Sequence, residues 1–291
     1  STVPSRSVSS LAAEVNRFLD GKSRPERACF GVAGPVVGGT VHTTNLPWVV
    51  ETAALARDIR IPSATLINDF AALGAGLAFL TPADLVALQA GEAEPGGPLA
   101  LIGAGTGLGQ GFLTRSSGGY EMHPSEGGHS SFAPSTPREW RLRECLEKRY
   151  GPVSWERVVS GPGLAAVYAC LTGAPSPPSP PEISERGMNG TDPAAAETLD
   201  IFAAAFGAQA GNLALTVLAT GGVYVAGGIA PHIMPKLQDG TFIRAFRSKG
   251  ELEPLLRRIP VQVITSSHAG LLGAAAVAVP PRTRASAGGN A

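Results

Sequence analysis

The apolar positions along this chain alternate between two periods. Leu11, Val15, Phe18 and Leu19 fall on one helical face and Gly21 follows as a stop, which predicts a helix over 9–20. The run ACFGVA (28–33) predicts a buried strand, Gly34-Pro35 and Gly38-Gly39 predict turns, and TVHTTNLPW (40–48) predicts a loop. A helix over 51–58, a strand ATLI (64–67) and a helix-like run FAALGAGLAFL (70–80) come next. Residues 99–114 read as two short apolar strands around a glycine-rich turn. Helices are predicted over 138–149, 163–171, 198–219, 241–248 and 270–279, and strands over 223–227 and 261–265. The Pro-rich stretch 172–182 reads as an extended surface loop, and PPRTRASAGGNA, with the tail assigned to 281–291, reads as disordered. Strands alternating with helices predict an α/β protein, with a hairpin added at 99–114.

A length of 291 residues allows one large or two medium domains, and 44% apolar residues suffice for a sizeable core. The 23 basic residues balance 23 acidic ones, so nothing electrostatic favours nucleic acid or an anionic membrane surface. The longest apolar stretch, Ala269–Val279, is too short to span a bilayer, and the N-terminus carries no basic-then-apolar signal. The expectation is a soluble cytoplasmic protein. Cys29, Cys145 and Cys170 form no CxxC pair and no zinc pattern, so all three read as packing residues in a reducing compartment, and no metal ligands are assigned.

Five segments carry candidate chemistry. In Gly103-Ala104-Gly105-Thr106-Gly107-Leu108-Gly109 the glycines alternate and strand-like residues follow, which fits neither a dinucleotide fingerprint nor a P-loop. A tight hairpin of this kind can face its backbone N–H groups toward phosphate, or be an ordinary Gly-rich turn. Asn68-Asp69 ends a predicted strand, where an acid can take a proton from a hydroxyl or simply cap the next helix. Glu126 and His129 flank a glycine pair, suited to a polyol or to a solvated turn. Glu156 precedes Ser160-Gly161-Pro162, a helix start, and reads equally as a surface acid. Glycine pairs, including Gly227-Gly228, frame the strand Val223–Ala226, so that either a flat ligand or a helix can approach its backbone.

In this order the segments AGPVVGG…TTNLPW, LINDFAA, GAGTGLG, SEGGHSSFAP, ERVVSGPGL, GNLAL and GGVYVAGGIAP resemble the bacterial glucokinase family, over residues 9 to about 279. The resemblance implies a two-domain α/β sugar kinase of the actin/hexokinase (ribonuclease H-like) type with a cleft between the domains. The small domain would take 1–80 plus 269–280, and the large one 81–268. It implies ATP-dependent phosphorylation of glucose to glucose 6-phosphate with magnesium. Asp69 would be the general base, and Asn45, Asn68, Glu126, His129 and Glu156 the sugar ligands. Gly103, Gly105, Thr106 and Gly107 would hold phosphates, with Gly227 and Gly228 on the nucleotide side. It also implies a homodimer.

Members of the family open with a strand bearing an Asp-x-Gly-Gly-Thr phosphate loop, and the helix at 9–20 would follow three strands. No such motif stands in this sequence, which starts at Ser1 without methionine. The expectation is a fragment or a misplaced gene start, favoured by the intact candidate residues, or else a catalytically impaired sugar-binding relative. A kinase for another hexose is a further alternative. A sugar-responsive DNA-binding repressor would need a helix-turn-helix and a Cys-rich zinc motif, neither of which is read here.

Overall fold

The structure is a computed structural model and describes residues 3–4, 7–43, 46–117 and 119–279. Asn45 and the tail 281–291 lie outside the described residues. The chain divides into two compact units, one formed by the described residues up to Phe79 and from Ser267 onward, the other by Leu80–Ser266.

The first unit opens with α1 (Leu11–Phe18), whose N-cap Ser10 accepts from the Ala13 N–H at 3.1 Å. The strands β1 (Arg27–Val32), β2 (Val36–Val37), β3 (Thr40–His42) and β4 (Val49–Glu51) follow, then α2 (Thr52–Asp58), β5 (Ser63–Asn68) and α3 (Asp69–Gly76). β1 pairs in parallel with β5, setting Val32 opposite Asn68. β2, β3 and β4 form a small antiparallel sheet. The stretch expected as a loop over 40–48 therefore begins as a strand. Val41 is fully buried there, with Val50, Leu55, Ile59 and Leu66 in the same apolar cluster.

The second unit is built on a six-stranded mixed sheet. Its chain runs through β6 (Leu85–Gln89), β7 (Leu99–Ala104), β8 (Leu108–Ser116) and β9 (Gly119–Ser125). The helices α4 (Pro137–Tyr150), α5 (Gly161–Thr172), α6 (Pro180–Met188) and α7 (Pro193–Val217) come next. Then follow β10 (Gly222–Ala226), α8 (Ile229–His232), α9 (Met234–Gln238), α10 (Thr241–Arg247), α11 (Glu253–Arg258) and β11 (Val261–Ile264). The strand order is β6-β11-β10-β7-β8-β9. β10 runs parallel to both β7 and β11, while β6, β8 and β9 are antiparallel to their neighbours. Every residue of β7 is buried, as the unbroken apolar run LALIGA requires of a central strand. Its core includes Phe132 edge-on to Trp155, and Phe206 edge-on to both Phe202 and Phe242.

The Pro-rich stretch is not loop throughout, because α6 starts at Pro180. Ser179 and Glu182 form a reciprocal capping box, and proline in the first turn lacks only an N–H that would go unused there. The cysteine expectation is corrected too. Cys145 on α4 and Cys170 on α5 form a disulfide, with their Cα atoms 6.0 Å apart after 25 residues of separation. The packing of α4 on α5 brings them together, which no local spacing reveals. Cys29 is a free thiol, and burial raises its pKa.

The last described helix, α12 (Ala269–Ala278), returns to the first unit and packs on α3. Gly273 lies against the Ala72 carbonyl and Gly76 against the Ala269 carbonyl, so closely that a Cβ at either would collide with backbone. This close approach explains the small-residue pattern of both helices.

Candidate active site

In the first unit, Asn68 caps α3. Its Oδ1 accepts from the N–H groups of Phe70 (2.8 Å) and Ala71 (3.3 Å), and its Nδ2 donates to the Gly34 carbonyl at 3.2 Å. The capping role that Asp69 could have filled thus belongs to its neighbour. Asp69 is the first residue of the helix, exposed, with Oδ1 accepting from the Phe70 N–H at 2.9 Å. An anionic carboxylate is favoured at that end of a helix. The parallel β1–β5 pair and the Asn68–Gly34 bond hold this strand end in place.

In the second unit, the glycine turn joins β7 to β8, with Gly103 opposite Gly109 and Ala104 opposite Leu108. The Gly105 N–H donates to the Gly107 carbonyl, and the Gly161 N–H donates to the Gly105 carbonyl, both at 2.8 Å. The turn is therefore stitched to the start of α5, and Thr106 stands exposed at its tip. Glu156 reaches the same turn, its Oε2 accepting from the Leu108 N–H at 2.9 Å. A Cβ on Gly107 would come within 2.5 Å of that oxygen, so glycine is what lets the carboxylate close on the backbone.

Two loops converge here. The Trp155 N–H donates to the Ser130 carbonyl (3.0 Å), the Phe132 N–H donates to the Val153 carbonyl (2.9 Å), and Ser131 bridges Ser154. Their pairing sets His129 between two acids. Its Nε2 lies 3.9 Å from Glu126 Oε2 and its Nδ1 lies 4.0 Å from Glu156 Oε1. These separations are too long for hydrogen bonds, so imidazole and carboxylates keep donors and acceptors for hydroxyls. The side chains of Glu126 and His129 are 75% and 63% exposed, whereas that of Glu156 is 30% exposed. Below them, the buried Ser160 hydroxyl donates to the Glu156 carbonyl at 2.7 Å and accepts from the Gly163 N–H, fixing the Glu156 backbone.

Gly227, at φ +92°, follows β10, and a Cβ there would strike the Ala104 backbone. Gly228 begins the edge of a cavity of about 670 Å³ lined by Leu164, Pro180, Met188, Asn189, Ile229 and His232 among others. That volume lies within the usual range for small-molecule sites. The sequence reading missed its α6 side because Pro180-Pro181 looked like loop; the Ser179-x-x-Glu182 capping signature was the available sign of a helix. Glu126, His129, Glu156, the glycine turn and Gly227 thus gather in the second unit, while Asn68 and Asp69 belong to the first. Among the described residues, no group of three or more His, Cys, Asp and Glu is placed to hold a metal ion.

The family model described as Glucokinase matches residues 1–280.

This chain belongs to the glucokinase family.

A glucokinase of Nostoc sp. is 43% identical over 279 residues, covering 87% of this chain and 82% of the relative. The crystal structure of a glucokinase from an Antarctic psychrotroph superposes with a TM-score of 0.84 at 33% identity, covering 96% of this chain and 88% of that one. A glucokinase of the ROK family from Streptomyces griseus, crystallised with glucose and AMPPNP, shares the fold at a TM-score of 0.58 and 22% identity, covering 92% and 88%. The α/β sugar-kinase fold expected from the motifs is thus borne out. Among the described residues, no helix is long and apolar enough to cross a membrane.

Proposed function

We propose that this chain transfers the γ-phosphoryl group of ATP to the 6-hydroxyl of glucose. Membership of the glucokinase family supports the reaction. The observation that carries the site assignment is the single bond from the Leu108 N–H to Glu156, which ties a polyol-binding carboxylate to the glycine turn. Glu126, His129 and Glu156 bind sugar hydroxyls, and Asn68 and Asn45 assist them. Asp69 accepts the 6-hydroxyl proton as that oxygen bonds to phosphorus; the bridging oxygen–phosphorus bond of ATP breaks and ADP departs with its electrons. Orienting the two substrates supplies much of the rate enhancement.

The residues present fit a nucleotide. Backbone N–H groups of Thr106 and Gly107, with the Thr106 hydroxyl, suit phosphate oxygens, while the Gly105 N–H closes the turn on the Gly107 carbonyl. Gly103 keeps the strand before them free of side-chain bulk. Gly227 admits close backbone packing, and Gly228 opens on a cavity of a size for base and ribose. Magnesium would enter with the nucleotide and neutralise charge on its phosphates; it takes most of its ligands from phosphate and water and needs only one or two carboxylates from a protein. The domain bounds of the family (1–80 with 269–280, and 81–268), a homodimer and a cytoplasmic setting belong to the same reading.

A coupled assay for glucose 6-phosphate with ATP and glucose tests it. Turnover with glucose that is lost in Asp69→Asn is the expected result; no turnover with any hexose would overturn the reading.

A further inference from the structure

Gln110 is a buried polar residue of β8, only 3% exposed, and its Nε2 has no hydrogen-bond partner among the described residues. It stands opposite Ser125 of β9, at the root of the turn that carries Glu126 and His129. A Cβ on Gly127 would run into Gln110 Oε1 and lie 3.2 Å from Ser125 Oγ, the hydroxyl that accepts from the Gly127 N–H at 3.1 Å. The carboxamide is therefore the floor beneath Gly127. Two residues earlier on the same strand, Leu108 donates to Glu156.

Glutamine is a poor choice here for stability alone. A buried donor left unpaired weakens a fold, and methionine of nearly equal length would fill the floor without one. The Gly127 N–H is already taken by Ser125 Oγ, so the carboxamide meets Gly127 by close contact and not by a hydrogen bond. What the carboxamide does supply is a fixed polar edge that sets how far the turn can sink onto β8.

We propose that Gln110 is a positioning residue for the sugar-binding turn: its carboxamide fixes Gly127 and through it the spacing of Glu126 and His129. The inference rests on the reading of Glu126 and His129 as sugar ligands. It adds a residue that touches no substrate, in a strand otherwise counted as scaffold.

The test is kinetic and thermal, on the full chain. Gln110→Met should melt no lower than the parent, yet raise the KM for glucose about fivefold or more while the KM for ATP stays within twofold. Gly127→Ala should raise the glucose KM by itself. Combined with Gln110→Ala, which removes the colliding oxygen, it should cost less than the sum of the two single changes. An unchanged glucose KM in Gln110→Met, or strict additivity of Gln110→Ala and Gly127→Ala, overturns the inference and leaves the glucokinase reading standing. An unchanged glucose KM in His129→Ala fails the sugar reading itself and takes the inference with it.

Discussion

The Leu108 N–H and Glu156 Oε2 meet at 2.9 Å, so one carboxylate serves two neighbours: one oxygen holds the glycine turn and the other faces His129. Removing it should therefore disturb both substrates. Glu156→Ala is expected to lower kcat/KM by about 10- to 100-fold, the scale of losing a hydrogen bond to a charged group. The KM values for glucose and ATP should rise together. His129→Ala should raise the glucose KM alone. Steady-state kinetics with each substrate varied in turn separates the two patterns.

Asp69 and Asn68 are adjacent but do different work. Asp69→Asn keeps size and helix start and is expected to lower kcat by about 10²- to 10⁴-fold, as loss of a general base does. Glucose binding, followed by thermal shift or calorimetry, should change little. Asn68→Ala removes the cap of α3 and the tie to Gly34, and should cost about 1 kcal/mol of stability by the usual value of an N-cap. A normal kcat in Asp69→Asn would remove Asp69 from the mechanism.

How much of this could be read beforehand depended on whether the signal was local. The glycine turn, the strand end at Asn68 and the strand before Gly227 are all written in consecutive residues, because backbone approach and capping are short-range demands. The Cys145–Cys170 bond was not legible, since it depends on how α4 packs against α5. α6 was obscured by prolines that break a helix interior but suit its first turn. The floor under Gly127 was hidden for a similar reason: only strand register places Gln110 beneath a turn 17 residues further along the chain.

The disulfide closes a loop that includes the Glu156 turn. Loop-closure entropy for that span gives about 3.5 kcal/mol of stabilisation. Reduction, or replacement of Cys145 and Cys170 by serine, should lower the Tm accordingly. Thermal denaturation with and without dithiothreitol checks this. An equal Tm for the two forms would show that the pair is not bonded in solution.

Asp192 caps the long helix α7, accepting from the N–H groups of Ala194 and Ala195, and also accepts from the Tyr168 hydroxyl at 2.8 Å. The Tyr168 hydrogen bond foremost, then the backbone donors, hold its carboxyl pKa below the ordinary value. A lowered pKa in the folded state stabilises above the unfolded value of about 3.9, and that contribution is lost as pH falls through the folded pKa. Asp192→Asn can still cap a helix but carries no charge. It should melt below the parent at neutral pH, and the gap should close in acid. A gap independent of pH would contradict the assignment.

The last helix also sets an order of events during synthesis. The second unit is contiguous, so all of it has been translated before α12 exists. The first unit takes α1 to α3 from before the second unit and α12 from after it. While a ribosome extends the chain, the surface of α3 around Ala72 and Gly76 waits without the helix that fits it. Until α12 is made, the glycine-lined face of α3 has no helix against it, so the first unit reaches its full packing only after the chain of the second has been made.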